Sequence, residues 1–277
     1  MISVLLSLLL SIGCVFLAQF YGFGIVWTVV YGILGYLLGS LVIGLFIRGR
    51  LGRVQKELQE AMQTGQMRMQ RQIQQAQHKP GANPAALQKQ IELQQNELLK
   101  RGLKQSERME PYQKWAPTLG RQITTMRLQF LYQLKRFDEV DELLAIKSFF
   151  KKPMLMEPTL VGMKMARAYK RGDLDTMEKT FKKHIRWMRG DRGTLLYGVM
   201  SWAWVKKGET EKAFELLAKG KDKTGNDTLA KNWEHLANDR VKKFSNAGLG
   251  EEWYALHLEP APKAKMKRAK GRGRGGF

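Results

Sequence analysis

Apolar side chains fill residues 1 to 47 almost without a break, and from Arg48 onward they thin to about two in every five positions. The first 47 residues contain no Asp, Glu, Lys or Arg. As one helix they would extend roughly 70 Å, more than twice the ~30 Å hydrocarbon core of a bilayer. The stretch "QFYGFG", residues 19 to 24, places a Gln, two glycines and three aromatics between the aliphatic runs, as an interfacial turn requires. The pattern therefore predicts a two-helix transmembrane hairpin, with spans Ile2 to Ala18 and Ile25 to Ile47. Small residues four apart allow close helix contact in lipid, and Ser3, Ser7 and Ser11 form one such stripe, Gly35 and Gly39 a second, Ser40 and Gly44 a third. These faces suit packing of the two spans on each other, or of either on another protein or another copy.

Beyond Arg48 the apolar positions take up a helical period. Leu51, Val54, Leu58 and Met62 lead a first polar helix, resumed at Met69, Ile73 and Ala76. Pro80, Gly81 and Pro84 interrupt it, and Asn83 before Pro84 reads as the cap and first position of a second helix reaching about Glu107, with Leu87, Ile91, Leu98 and Leu99 on its apolar face. The two form a helical stalk over residues 48–114, as a folded-back pair or an extended arm. Gly65 and many Gln make the seam weak.

After Pro117 a pattern repeats. "LYQLKRFDEVDELL" from Leu131, "AYKRGDLDTMEKTF" from Ala168 and "WVKKGETEKAFELL" from Trp204 align on Lys135, Gly172 and Gly208, 37 and then 36 residues apart. Each unit reads as helix, tight turn and helix. A helix A ending on Gly uses its freedom at positive φ, a small residue such as Ala213 lets helix B approach, and Trp204 and Leu217 close the contact. "LAKNWEHLANDRVKKF", Leu229 to Phe244, predicts a following helix, and "EEWYALHL", residues 251 to 258, a last turn or two; Tyr112 and Trp115 are placed to seal the other end.

These units resemble the tetratricopeptide repeat family. The third matches best, with Tyr197, Met200, Trp204, Gly208, Ala213 and Leu217 at the signature positions. The second keeps Ala168, Gly172 and Phe181 but has Met177 and Lys164 where Ala and Leu are usual, and the first keeps Leu131, Val140 and Leu144. The resemblance covers about 110 residues and implies an α-solenoid over residues 115–259, with a concave surface made by the A helices that holds an extended peptide. Projected onto this chain, that groove includes Gln129, Tyr132, Gln133, Tyr169, Lys170, Trp202 and Lys206. Lys170 and Lys206 occupy equivalent positions, which suits an acidic peptide or a C-terminal carboxylate.

Charge sharpens this picture. The formal net charge is +22, and the basic excess is seven over 48–117, eight over 118–259 and seven over 260–277. Arg48, Arg50, Arg53 and Lys56 directly follow the second span while the turn between spans carries no cation, which predicts both termini and the repeats on the cytoplasmic side of a bacterial-type inner membrane. Cations near the exit can also hold anionic head groups, at about 1 kcal/mol each close to the surface. The tail "PAPKAKMKRAKGRGRGGF" has seven cations and no acid and predicts disorder; Lys267, Arg268, Lys270, Arg272 and Arg274 are its candidate contacts to RNA, ribosomes or anionic lipid.

Catalytic and cofactor chemistry finds no foothold in the pattern. His78, His184, His235 and His257 are scattered, the single Cys14 lies in the apolar run, and no glycine-rich phosphate loop is present. "LSIGC" lacks the Leu three residues before Cys14 and the preceding cation that a lipoprotein signal would have. The sequence thus predicts an all-α, non-enzymatic protein without a cofactor, either a membrane scaffold for protein partners or a membrane-tethered RNA or ribosome binder. A subunit of a larger membrane complex, held through the Gly35 and Gly39 face, is the third reading.

Overall fold

The first two helices pair along the stripes of small residues. In the computed structural model, which describes residues 2–78, 84–116 and 118–262, α1 spans Ile2–Phe20 and α2 spans Ile25–His78. The Ser11 hydroxyl donates to the Gly32 carbonyl at 2.7 Å. A methyl group at Gly35 would fall 2.7 Å from Cys14 Sγ, and one at Gly39 would fall 3.5 Å from the Ser7 Cα. The serine stripe of α1 therefore lies antiparallel in the glycine stripe of α2, and glycine is what permits the approach. Gly35 and Gly39 are covered by α1, so they are not free for a larger complex.

Both helices are long and apolar enough to cross a membrane, and only 11% and 17% of the residues in their most apolar windows are buried. The core helix of a soluble protein would be covered by its neighbours, whereas here Leu9, Phe16, Val26 and Leu38 stand outward.

The span and the first stalk helix prove to be one helix. Its 54 residues run without interruption through Arg48, a length of about 80 Å at 1.5 Å per residue. α3 (Pro84–Glu107) folds back along it. Gly65, expected to weaken that seam, instead receives Leu98, whose methyl group lies 2.7 Å from where a Cβ would be. The adjoining face of α3 packs on the helices that follow: Leu99 and Leu103 are buried in the same core as Leu128 and Phe130, and Gly102 sits against the Phe130 ring. The boundary drawn at residue 114 thus cuts through a continuous core.

Three helix pairs follow, α4 (Leu119–Gln133) with α5 (Phe137–Ala145), α6 (Pro158–Lys170) with α7 (Leu174–Ile185), and α8 (Thr194–Lys207) with α9 (Thr210–Thr224). Their turns share one geometry. Lys135, Gly172 and Gly208 have φ of 59°, 75° and 82°. In each, the next N–H reaches back to the fifth carbonyl before it: Arg136 to Leu131, Asp173 to Ala168, Glu209 to Trp204, at 2.9 to 3.0 Å. This pattern closes the ends of the A helices and aims the B helices back along them. Asp141 ties the first pair to the second, accepting from Arg167 at 3.1 and 2.7 Å and pairing with Arg171 at 3.2 Å.

The C-terminal part departs from expectation. The helix drawn to Phe244 ends as α10 (Asp227–Ala237), because Asp239 takes φ 56° and Arg240 N–H caps the His235 carbonyl at 2.7 Å. Asn246, fully buried, accepts from Asn232 at 2.9 Å and donates to the Gly198 carbonyl at 2.8 Å. That network turns the chain back over α8, where a single turn, α11 (Glu251–Tyr254), begins the last described stretch. α8 is consequently buried on every side from Thr194 to Ala203.

The platform is seated on α2 just past Arg48. Met109, Leu119 and Ile123 form a second small core with Leu51, Val54 and Tyr112. Tyr112 and Trp115 line a cleft with Phe46, Ile47 and Arg50, and the Ser3 hydroxyl donates to the Trp115 carbonyl. The two aromatics expected to seal the repeats thus pack at the end of the apolar hairpin.

Candidate functional site: the inner face of the helical platform

The groove expected along the A helices is occupied by the chain itself. Residues 253 to 259, "WYALHLE", pack on α8 at both ends and on α6 and α4 between them. Tyr132, expected to line an open groove, is 1% exposed; its hydroxyl donates to the Leu256 carbonyl at 2.6 Å and its ring stacks on His257 at 5.7 Å. Leu256 rests on Gly162, at 3.2 Å from where the Gly162 Cβ would stand. Trp202, also expected to be open, is 4% exposed and meets Trp253 edge to face at 5.7 Å.

Glu259 closes the segment. Its carboxylate accepts from Trp202 Nε1 at 2.7 Å and from Trp253 Nε1 at 3.0 Å. Two buried indole donors on one carboxylate make a compact anion-accepting site without a formal positive charge in contact. Lys206 lies over the Trp202 ring, with Nζ 5.6 Å from its centre.

The remaining groove positions form a rim. Tyr169 is half-buried and packs on Trp202 at 4.9 Å, Gln129 is half-buried, and Gln133, Lys170 and Lys206 are exposed. The structure brings Tyr169, Trp202 and Lys206 together; Tyr132 lies under a different part of the segment, with Phe137 and His257. Sequence reasoning missed Trp253, Leu256, His257 and Glu259. The signal was a run of apolar residues too short for another repeat, followed by an acid.

Burial shapes the ionisable groups here. Burial raises the Tyr132 hydroxyl well above the usual phenolic range, so it stays a donor. His257 is lowered by burial and then by Lys135, and its Nε2 is buried without a hydrogen bond. On the other side of the repeats, burial lowers Lys164, helped by Lys152, Lys183 and Arg171, while burial and then Lys183, Lys164 and Lys152 lower His184.

The other expected sites divide in two. Ser7, Ser11, Gly35 and Gly39 lie in the interface between α1 and α2. Lys267, Arg268, Lys270, Arg272 and Arg274 lie outside the described residues. Among the described residues no three His, Cys, Asp or Glu side chains gather where they could hold a metal ion. No protein-family model matches the sequence, and neither a curated protein nor a solved structure matches it significantly.

Proposed function

We propose that the chain is a membrane-anchored helical-repeat scaffold of the tetratricopeptide kind, recruiting protein partners to the cytoplasmic face of a membrane through acidic or extended peptide segments. The apolar hairpin anchors it, and the cations after Ile47 set its orientation. The observation that carries the reading is the groove's present occupant. A peptide of this chain lies across three A helices, and its single carboxylate accepts from two indole N–H groups, one of them on Trp202, whose ring exposed Lys206 covers. A groove with that chemistry accepts a peptide of the same kind from a partner, which must compete with residues 253 to 259 for it.

The test is in-cell crosslinking and affinity recovery of three full-length forms: the unaltered chain, Glu259→Lys, which loosens the internal segment, and Lys170→Glu with Lys206→Glu, which reverses the rim. Scaffold function predicts the same small set of proteins throughout, more abundant with Glu259→Lys and depleted with the rim reversed, and insensitive to nuclease. The tail's seven cations favour a second reading, a membrane-tethered RNA or ribosome binder. Recovery that collapses with nuclease or on truncation after Glu259, and ignores the rim, would replace the first reading with the second.

A further inference from the structure

Beyond the stalk, every large apolar side chain that stands exposed among the described residues lies in one of two loops. Phe149, Phe150 and Met156 belong to the connection between α5 and α6, and Trp187 to that between α7 and α8; they are 71%, 43%, 62% and 80% exposed. Both loops join the second helix of one pair to the first helix of the next, so they share one edge of the platform. Arg192 of the second donates to the Met156 carbonyl of the first at 2.9 Å.

The same loops are basic. Lys147, Lys151 and Lys152 flank the two phenylalanines, and Arg186, Arg189 and Arg192 surround Trp187, against one acid in each loop, Glu157 and Asp191. The opposite edge, with the turns at Lys135, Gly172 and Gly208, exposes no large apolar side chain among its described residues.

The aromatics are presented on a held backbone. Met154 N–H donates to Thr125 Oγ1 at 2.7 Å, Arg121 Nε donates to the Lys152 carbonyl at 3.3 Å, and the Arg121 guanidinium covers one face of Phe149 at 5.2 Å. Gly120, in the first turn of α4, lets the Phe150 carbonyl come within 2.7 Å of where its Cβ would be. Such anchoring keeps Phe149 and Phe150 from turning inward.

Position identifies the occupant. Ile2, the outer end of α1, lines a cleft of about 390 Å³ with Phe150, Lys151 and Gly120. Ile2 is also the level at which α2 leaves the apolar stretch, since Phe46 and Ile47 lie beside Trp115, whose carbonyl accepts from Ser3. The edge therefore continues the surface on which the apolar hairpin ends. Aromatic side chains interleaved with cations are the composition of an interfacial membrane contact, the rings at head-group depth and the cations on anionic lipid. Continuity with the hairpin favours lipid over a protein partner at this edge.

We infer that the edge formed by residues 146–157 and 186–193 is a second membrane contact, which lays the platform against the anionic leaflet from which the hairpin emerges. The inference rests on the hairpin being inserted in a bilayer. With the platform lying on its side, the groove faces along the membrane instead of away from it, so its partners are presented at the bilayer surface.

The experiment uses the full chain carrying Cys14→Ser and single environment-sensitive labels at Ser148→Cys, Asp191→Cys, Glu209→Cys on the opposite edge, or Leu9→Cys in α1. Each is reconstituted into vesicles of phosphatidylcholine with or without phosphatidylglycerol, and quenching by brominated acyl chains is read. The expected result is strong quenching at Leu9 in both lipids, quenching at Ser148 and Asp191 severalfold above that at Glu209 with the anionic lipid, and a marked drop when Lys147, Lys151 and Lys152 are all changed to Gln. Strong quenching at Leu9 with either loop label no more quenched than Glu209 overturns the inference and leaves the hairpin intact. Absence of quenching at Leu9 removes the hairpin, and the inference falls with it.

Discussion

Glu259 shows how one side chain can decide where a segment rests. Its two oxygens satisfy the only polar atoms of two deeply buried indoles, Trp202 and Trp253. Glu259→Ala leaves both N–H groups without an acceptor, and a urea midpoint measured in detergent micelles should fall by the equivalent of about 1–3 kcal/mol. Glu259→Gln keeps one acceptor oxygen and should cost less. His257 adds a pH dependence. Its folded pKa lies below the ordinary value of ~6.5, so the unfolded chain takes up the proton first as pH falls. The stability from burying the neutral ring is fully present above pH ~6.5 and is lost as pH falls toward the folded pKa. His184, lowered in the same direction, adds to it. Thermal melts at pH 7.5 and 5.5 should show a lower midpoint in acid, and His257→Gln should reduce that difference without abolishing it.

At the scale of the element, the three A-to-B turns are one backbone solution met with two residue types. Gly172 and Gly208 adopt the left-handed conformation without a Cβ penalty, while Lys135 bears it at φ 59°. Lys135→Gly should therefore stabilise the protein by about 0.5–1 kcal/mol, less than the full penalty because glycine also loosens the unfolded chain, and Gly208→Ala should destabilise it by about 1 kcal/mol, both read as shifts in the denaturation midpoint. Between pairs, the forked contact from Arg167 to Asp141 is largely shielded from solvent, and its guanidinium also covers the Phe137 ring at 4.6 Å. Asp141→Asn keeps the volume but loses the charge-assisted acceptor; a cost of about 1–3 kcal/mol is expected in the same assay.

For the whole molecule, α2 is the element that joins the apolar hairpin and the platform. Because it runs unbroken from Ile25 to His78, and because Leu51 and Val54 on it pack with Met109, Leu119 and Ile123, the repeats are fixed within a turn or two of the apolar stretch. They are not carried on a tether. Alkaline carbonate should leave the full chain in the membrane pellet and release a version starting at Arg48 into the supernatant, where its retained helicity can be followed by circular dichroism. Recovery of the shortened chain in the pellet would mean that the platform holds the membrane strongly enough without the hairpin.

Much of this architecture is legible in local sequence, because it depends on neighbours within one or two turns. The apolar run and its break at "QFYGFG", the helix start at Pro84 and the three turns at Lys135, Gly172 and Gly208 all follow from short-range pattern. The helix drawn to Phe244 failed because a buried hydrogen bond between Asn232 and Asn246 redirects the chain, and no period in the sequence reports such a pair. Gly65 looked like a defect and is a seat for Leu98, since only the partner helix gives a glycine its purpose. The candidate groove residues lie on α4, α6 and α8, yet Tyr132 and Trp202 are covered by a segment more than 50 residues away from either. The sequence by itself determined the helices, their turns and the division between apolar hairpin and basic platform. Only the tertiary structure decided what fills the groove and which edge keeps its aromatics exposed, because those outcomes depend on which distant surfaces compete for the same apolar area.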